Sequence, residues 1–522
     1  MAASQTYTGN GLTVTIADPE NITKDECLQL ARAGSDVWNG WRKEFPVRLV
    51  GETHLNTADF SNTFFREKAL EFNNFHFGDF ANFREATFSE STFFVDAVFG
   101  TAANFYKARF GAWTKFDGAN FGSQASFNGA DFGDFTGFEK VVFLGTSSFW
   151  RAQFYGNAHF RQTRFRDFAS FDLAQFGQVD FSSSQFENTV RFKGTILGNR
   201  ANFCFVKFGG DVDFQGMSWP EVTFNSGSFI SEMVPWIEQR KRWADQRYLA
   251  PDAFLELIFD GAVFGGVANF SNRKFLRKVT FSPARKHRDL LYPQPSWPWH
   301  GHSKQAIDLI NAAGDSEYIA TRFDKAPIFH GCELRQDTNI ADANFPKAQG
   351  DDEAARAYRT LKLAFAQQHS IREEQRFFKL EMQEEAAWES GWKRWLYRGY
   401  DFFSDFGFSI WRPFARLVLW PGLGFLLGYM LLMALKHAPL QTGPLIDEPV
   451  LLSQWLQFTF ANLAPLPDSE LLKDLRGKLF DPDGKSSLII VAALVLETAQ
   501  KLLALIGYFL MGLALRNLFK MK

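Results

Sequence analysis

The chain has 522 residues and a formal net charge of −2, which leaves room for two or more structural units and excludes any strong charge preference from the total alone. Cys27, Cys204 and Cys332 lie far apart, with no CxxC pair and no Cys/His metal spacing, so free thiols in a reducing compartment are expected. The chain holds 61 Phe against 11 Tyr, an imbalance that calls for a repeated packing position.

The first residues, MAASQTYTGNGLTVTIADPE, carry no basic region followed by an apolar one, so no cleaved secretory signal is expected. Residues 22–42 predict a short helix ending near Gly34. Thr23 supplies an N-cap, and Asp25 and Glu26 place acids in the first turn. This helix is an expected N-terminal cap for a repeat array, because the end of such an array exposes core and strand edges.

From Ala103 onward, phenylalanines fall at 105, 110, 116, 121, 127, 132, 138, 143, 149, 154, 160, 165, 171 and 176, in alternating steps of five and six. The series continues through Phe181, Phe186, Phe192, Leu197, Phe203, Phe208, Phe214, Trp219, Phe224 and Phe229. Two residues before each Phe sits a small or β-branched residue, such as Ala103, Ala108, Thr114, Ala119 and Ala125. A helix needs spacings of three and four and a strand a spacing of two. A step of five or six, sustained along so long a stretch, instead fits a solenoid with one small and one large inward residue per side.

The stretch ANFYKARFGAWTKFDGANFGSQASFNGADF resembles the pentapeptide-repeat family, with Phe where Leu is commoner. The resemblance implies a mainly β fold, a right-handed quadrilateral β-helix whose four sides per coil take steps of five, six, five and six. Phe105, Phe127, Phe149 and Phe171 would then stack on one side. Residues 58–230 would form roughly eight coils, about 40 Å at strand spacing. The segment AGSDVWNGWRKEFP is similar to the lead-in before such repeats.

The pattern breaks at 231–252 and resumes at Phe264, Phe270, Phe275 and Phe281. A second break at 284–325 holds the Pro/Trp-rich YPQPSWPWHGH, and repeats return at Phe329, Leu334, Ile340 and Phe345. Both breaks read as insertions, which in solenoids leave as surface loops. Residues 351–390 then read as helical. Leu361, Ala364, Gln368, Ile371, Gln375, Phe378 and Met382 form a heptad-like seam, open either to a coiled coil between subunits or to a helix pair packed on the last coil.

Two apolar runs come next, 413–435 and 487–515, each long enough to span a bilayer. The second holds Glu497, Gln500 and Lys501, and Glu497 and Lys501 are placed to pair at i, i+4. Lys393, Arg394, Arg398, Arg412 and Arg416 precede the first run, and Arg516, Lys520 and Lys522 follow the second. The positive-inside rule then puts both termini and the solenoid in the cytoplasm of an inner or plasma membrane. Trp392, Trp395, Tyr397, Tyr400 and Trp411 supply interfacial aromatics. The region is similar to the C-terminal module of membrane-linked pentapeptide-repeat proteins, which resembles a two-helix cation channel. SQWLQFTFANLAPLP sits where a pore helix and filter would be, and the TVGYG-like filter is absent.

The domains read as 1–57, a segment with a capping helix; 58–348, the interrupted β-helix; 349–412, a helical linker; and 413–522, the membrane module. No phosphate loop, HExxH, nucleophile elbow or Cys/His pair occurs. No catalytic, cofactor-binding or metal-ligating residue is therefore assigned, no cofactor is expected, and HGH at 300–302 is too little for a metal. The expected function is a membrane-anchored scaffold presenting the solenoid to a protein partner. The alternative is an oligomeric channel-like protein regulated by the solenoid. DNA mimicry against a topoisomerase is a minor alternative: residues 58–230 carry 15 Lys/Arg against 18 Asp/Glu, a mild −3, and no nucleic-acid partner is expected.

Overall fold

A phenylalanine every five or six residues can be buried only if successive coils stack ring on ring. The computed structural model of the chain has this arrangement. It describes residues 4–50, 53–67, 70–198, 200–216, 253–254, 256–275, 279–287, 316–332, 334, 338–340, 343–346, 348, 350–437, 449–463, 470–480 and 487–520. The chain divides into two units, Met1–Lys347 and Ala348–Lys522.

The first unit is a parallel β-solenoid. Its two largest sheets have nine and ten strands, each only a few residues long. The register places Val98 beside Asn120 and Arg109 beside Asp131. This 22-residue offset is also the one spanned by the Val95 N–H and its acceptor, Asn73 Oδ1. Rings stack in four columns. Phe105, Phe127, Phe149 and Phe171 follow one another at 4.7, 4.8 and 4.9 Å with interplanar angles of 4°, 3° and 6°. Columns meet edge to face, as for Phe127 on Phe138 at 5.6 Å and 89°. Each such pair adds about 0.5–1.5 kcal/mol beyond burial. The small inward residues are buried too, and the hydroxyls of Thr114 and Thr136 donate to the carbonyls of Gly111 and Gly133.

Between sides the chain turns through left-handed residues. Glu85, Asp96, Lys107, Lys140, Arg151, Gln162 and Leu173 all have φ between 52° and 59°. Such a conformation costs a non-glycine residue about 1–2 kcal/mol. The opposing gain is a ladder between coils: Lys107 N donates to Asn128 O at 2.9 Å and Arg151 N to Asp172 O at 3.0 Å. At some turns the coils approach too closely for a side chain. A Cβ on Gly122 would lie 2.6 Å from the Gly100 carbonyl carbon of the coil before.

The coil is not uniform in length. Arg164 pairs with Gln185, one residue short of the usual offset, which follows from Phe176 and Phe181 being five apart. A register shift between Phe154 and Asn157 absorbs the missing residue, as a β-bulge does. The register also survives both insertions. Lys207 pairs with Val263 and Phe208 with Phe264, so the first insertion leaves and returns within one coil. Val263 pairs with Arg322, so the second does the same. The solenoid therefore resumes at Arg322–Phe323, inside the stretch read as insertion, and Phe259 is already a column member, stacked on Phe203 at 5.0 Å. The ends of the second insertion, Ala284–His287 and Ser316–Ile319, form an antiparallel hairpin. Trp219, Phe224, Phe229, residues 231–252 and YPQPSWPWHGH lie outside the described residues.

Arg273 occupies the inward position two before Phe275 and is fully buried. Its guanidinium donates to the carbonyls of Phe214 at 2.5 Å, Thr195 at 3.0 Å and Phe192 at 3.1 Å. It therefore ties three backbone acceptors together beside the point where the first insertion leaves.

The N-terminal end is closed by a hairpin of β1 (Gln5–Gly9) and β2 (Leu12–Ile16) and by helices α1 (Lys24–Arg32) and α2 (Ser35–Glu44). Thr23 and Glu26 form a capping box on α1. Gly34, at φ 101°, ends the first helix as expected, but the chain re-enters a second one. Trp38 and Trp41 of α2 are fully buried. Trp38 lies 5.8–5.9 Å from Phe60, Phe75 and Phe77 and donates its indole N–H to His76 O at 2.8 Å. The cap thus extends the aromatic core by two tryptophans. None of the three cysteines is in a disulfide, and burial pushes the Cys27 thiol up to about 12.

The second unit is helical. Helices α3 (Asp352–Gln367) and α4 (Ile371–Trp388) are separated by His369 at φ 58°. The seam from Leu361 to Met382 is therefore not continuous. The chain reverses, Phe365 stacks on Phe377 at 5.6 Å, and Arg359 and Lys362 both reach the buried Glu381 at 2.6 Å. Ile371, a seam position, is exposed. Helix α5 (Gly391–Ser404) comes next. Helix α6 comprises Trp411–Pro413, a π-helical stretch Phe414–Leu419, and Trp420–His437. The π stretch ends just before Pro421, which has no N–H for the ladder. Then come α7 (Pro449–Ala461), α8 (Glu470–Phe480) and α9 (Ser487–Lys520). Among the described residues, two runs are long and apolar enough to cross a membrane: Trp411–Leu432, with mean hydropathy 1.5, and Ile490–Asn517, with 1.8.

Replacing Phe127 by Ala removes one ring from a column together with its edge contacts, and is expected to destabilise the solenoid by about 3–5 kcal/mol. Glu90→Ala on the exposed surface should change stability by less than about 0.5 kcal/mol. Thermal unfolding followed by circular dichroism compares the two.

Candidate functional site

Phenylalanine fills the interior of the solenoid, so its recognition chemistry lies on the outside. One corner is distinctive. The residues just after Phe83, Phe105 and Phe149 place Arg84, Tyr106, Lys107, Trp150 and Arg151 along one edge, on coils stacked at strand spacing. The Arg84 guanidinium and the Lys107 ammonium each lie 5.2 Å from the Tyr106 ring, and Arg151 lies 4.3 Å from that of Trp150. Side-chain carboxamides set the backbone here: Asn104 Oδ1 accepts from Tyr106 N at 3.0 Å, and Asn128 Oδ1 from Trp150 N at 3.1 Å. A shallow open depression of about 370 Å³ beside Tyr106 is lined by Arg84, Asn104, Gln124 and Ser126. Tyr, Trp and Arg are the side chains that dominate binding energy at protein interfaces.

The parallel register, the four ring columns and the outward polar positions describe one repeat type. A family model described as pentapeptide repeats (9 copies) matches residues 72–120, 116–164 and 149–196. The solenoid is built of pentapeptide repeats. No curated protein and no solved structure matches the chain. The family match ends at residue 196, whereas the pentapeptide-repeat register continues through Phe323, which stacks on Phe264 at 4.7 Å, to Phe345, which stacks on Phe323 at 5.5 Å.

A second polar centre lies in the helical unit. Glu497 is 2% exposed. Arg476 of α8 donates to both its oxygens, at 2.9 and 2.8 Å, and Lys501 bonds it at 2.8 Å. The predicted i, i+4 pair is therefore present, but sequence reasoning missed Arg476, which no spacing rule connects to Glu497. One turn along α9, the Gln500 carboxamide accepts from the Tyr429 hydroxyl at 3.0 Å and donates to Thr459 O at 2.8 Å. An apolar cluster of Tyr429, Trp455, Phe458, Leu472, Leu475, Leu479, Phe480 and Ala493 surrounds these groups. Asn462, just past the end of α7, is fully buried, and its carboxamide makes no hydrogen bond to a described residue. Among the described residues no group of three or more His, Cys, Asp or Glu is placed to hold a metal ion. His300 and His302 lie outside them.

Glu497→Gln removes the buried carboxylate that Arg476 and Lys501 share and is expected to cost about 3–5 kcal/mol. The double variant Glu497→Gln/Arg476→Gln should cost less than the two single changes together. Thermal unfolding of the full chain in detergent supplies all three values for the cycle.

Proposed function

We propose that the protein is a membrane-anchored, non-enzymatic scaffold whose pentapeptide-repeat solenoid presents an aromatic and basic edge to a protein partner. The observation that carries this reading is the filled interior beside an outer edge of Tyr106, Trp150, Arg84, Lys107 and Arg151. A rigid edge of repeated coils offers contacts at fixed spacing without an ordering penalty on the scaffold side. The two long apolar helical runs supply the anchor. Basic residues flank both runs, which supports an arrangement with both termini and the solenoid on the cytoplasmic side of an inner or plasma membrane. A photo-crosslinking residue at 106 or 150 should capture one discrete protein in the native cell. The same probe at Gln162, on the diagonal corner two residues after Phe160, should not. Trp150→Ala/Arg151→Ala should weaken that capture at least about tenfold. Equal capture at all three positions would remove this reading.

Asn462 favours a second reading, an oligomeric channel-like module. Helix α7 has 13 residues, about 20 Å, against the ~30 Å needed to cross a bilayer core. A short helix followed by a buried carboxamide without a described partner suits a position where copies meet around a polar axis. This reading expects a symmetric oligomer in detergent and conductance in a planar bilayer. A silent, monomeric, well-folded protein would eliminate it.

A further inference from the structure

Helix α5 is amphipathic in an unusual sense: its apolar face points outward. Trp392, Trp395, Leu396, Gly399, Phe402 and Phe403 fall on one face at helical spacing. Trp392 is 70% exposed, Trp395 74%, Leu396 61% and Phe402 54%. The opposite face is the packed one. Tyr397 donates its hydroxyl to Glu385 at 2.8 Å, Tyr400 meets Phe406 edge to face at 5.6 Å, and Ser404 is buried. A soluble helix hides its aromatic stripe, and this one shows it.

The rim of the exposed face is cationic. Lys393 and Arg394 lie at one end and Arg398 borders the stripe one turn on. Arg394 and Arg398 have no carboxylate within ion-pair distance among the described residues, and Lys393 has only Glu389 at 3.7 Å. The one acid of the helix, Asp401, lies 3.8 Å from Arg412. Shortly after α5 ends, the chain enters the run Trp411–Leu432, which exposes Trp411, Trp420, Leu423, Leu427 and Leu431.

We infer that α5 lies in the membrane interface, with Trp392, Trp395, Leu396 and Phe402 at the headgroup–acyl boundary and Lys393, Arg394 and Arg398 on the headgroups of an anionic leaflet. This inference rests on the reading that the adjoining runs span the membrane. Continuity with those runs selects lipid over a protein partner as occupant. Tryptophan at this depth gains from apolar burial while its N–H stays hydrated. Each basic side chain adds attraction only where the leaflet is anionic.

The test uses the full chain in lipid nanodiscs, either neutral phosphatidylcholine or a mixture containing phosphatidylglycerol. Nitroxide labels are placed singly through Leu396→Cys, Phe402→Cys, Leu427→Cys and Leu505→Cys in a Cys332→Ser background. Collision with oxygen is compared with collision with water-soluble nickel chelate. In the anionic discs, labels at 396 and 402 should favour oxygen, at a shallower depth than those at 427 and 505. Changing Lys393, Arg394 and Arg398 to Gln should shift them towards their neutral-disc values. Labels at 396 and 402 that favour nickel while 427 and 505 favour oxygen would overturn the inference and leave the spans standing. Nickel preference at all four sites would overturn both. Equal depth in the two lipids would overturn the anionic-leaflet assignment.

Discussion

The solenoid depends on a coincidence of two distances. Parallel strands joined by hydrogen bonds sit about 4.7–4.9 Å apart. Parallel offset aromatic rings find favourable contact at similar centroid separations. One residue identity repeated at one position in every coil therefore satisfies the backbone and the side chains at once. The rings of a column stay within a few degrees of parallel, as for Phe110 and Phe132 at 3°, and the edge contacts between columns lock their orientation. The other features follow from that pitch. Small or β-branched residues stand two before most rings because the rings fill the interior, and where Arg273 takes that position three backbone carbonyls receive its guanidinium. Glycine stands at Gly122 because a side chain would strike the preceding coil. The corner residues accept a left-handed backbone because it aims their N–H at the next coil.

The columns were legible in the sequence because the spacing of inward residues is the fold's own period. Every phenylalanine of the series from Phe105 to Phe214 is buried. The shortened coil was visible in the closer spacing of Phe176 and Phe181, but its compensation at Asn157 was not, since a bulge leaves no side-chain mark. Lys107, Arg151 and Gln162 gave no hint of positive φ, because the hydrogen bonds that hold them there come from another coil. The second cap helix was hidden for a related reason. Gly34 reads as an end, and only the docking of Trp38 on Phe60, Phe75 and Phe77 stabilises a second start. In the α3–α4 stretch, local periodicity suggested one seam, while burial of Tyr358, Phe365 and Phe377 required a reversal.

The helical unit reverses the logic of the solenoid. There, apolar groups face inward in strict order. Here, large apolar side chains such as Trp420, Leu427, Val495 and Phe509 point outward, while Glu497, Gln500 and Arg476 gather inside. Large apolar side chains exposed along these runs accord with their length and hydropathy, which are sufficient to cross a membrane. Gly507 shows how the long helices approach: a Cβ there would lie 2.8 Å from Val418 Cγ2. The sequence could announce Glu497 and Lys501, four apart on one helix. It could not announce Arg476, whose pairing depends on how α8 folds against α9.

The two insertions bear on how such an array changes over time. For a chain that leaves a coil and returns in register, the entropy cost of loop closure grows only with the logarithm of its length. The coils on either side already hold the exit and entry points at a fixed separation. Phe208 therefore stacks on Phe264, and Phe264 on Phe323, as though the intervening residues were absent. The corners of this solenoid are ports at which new sequence can be accepted without renegotiating the core, so its surface can diversify while its pitch stays constant.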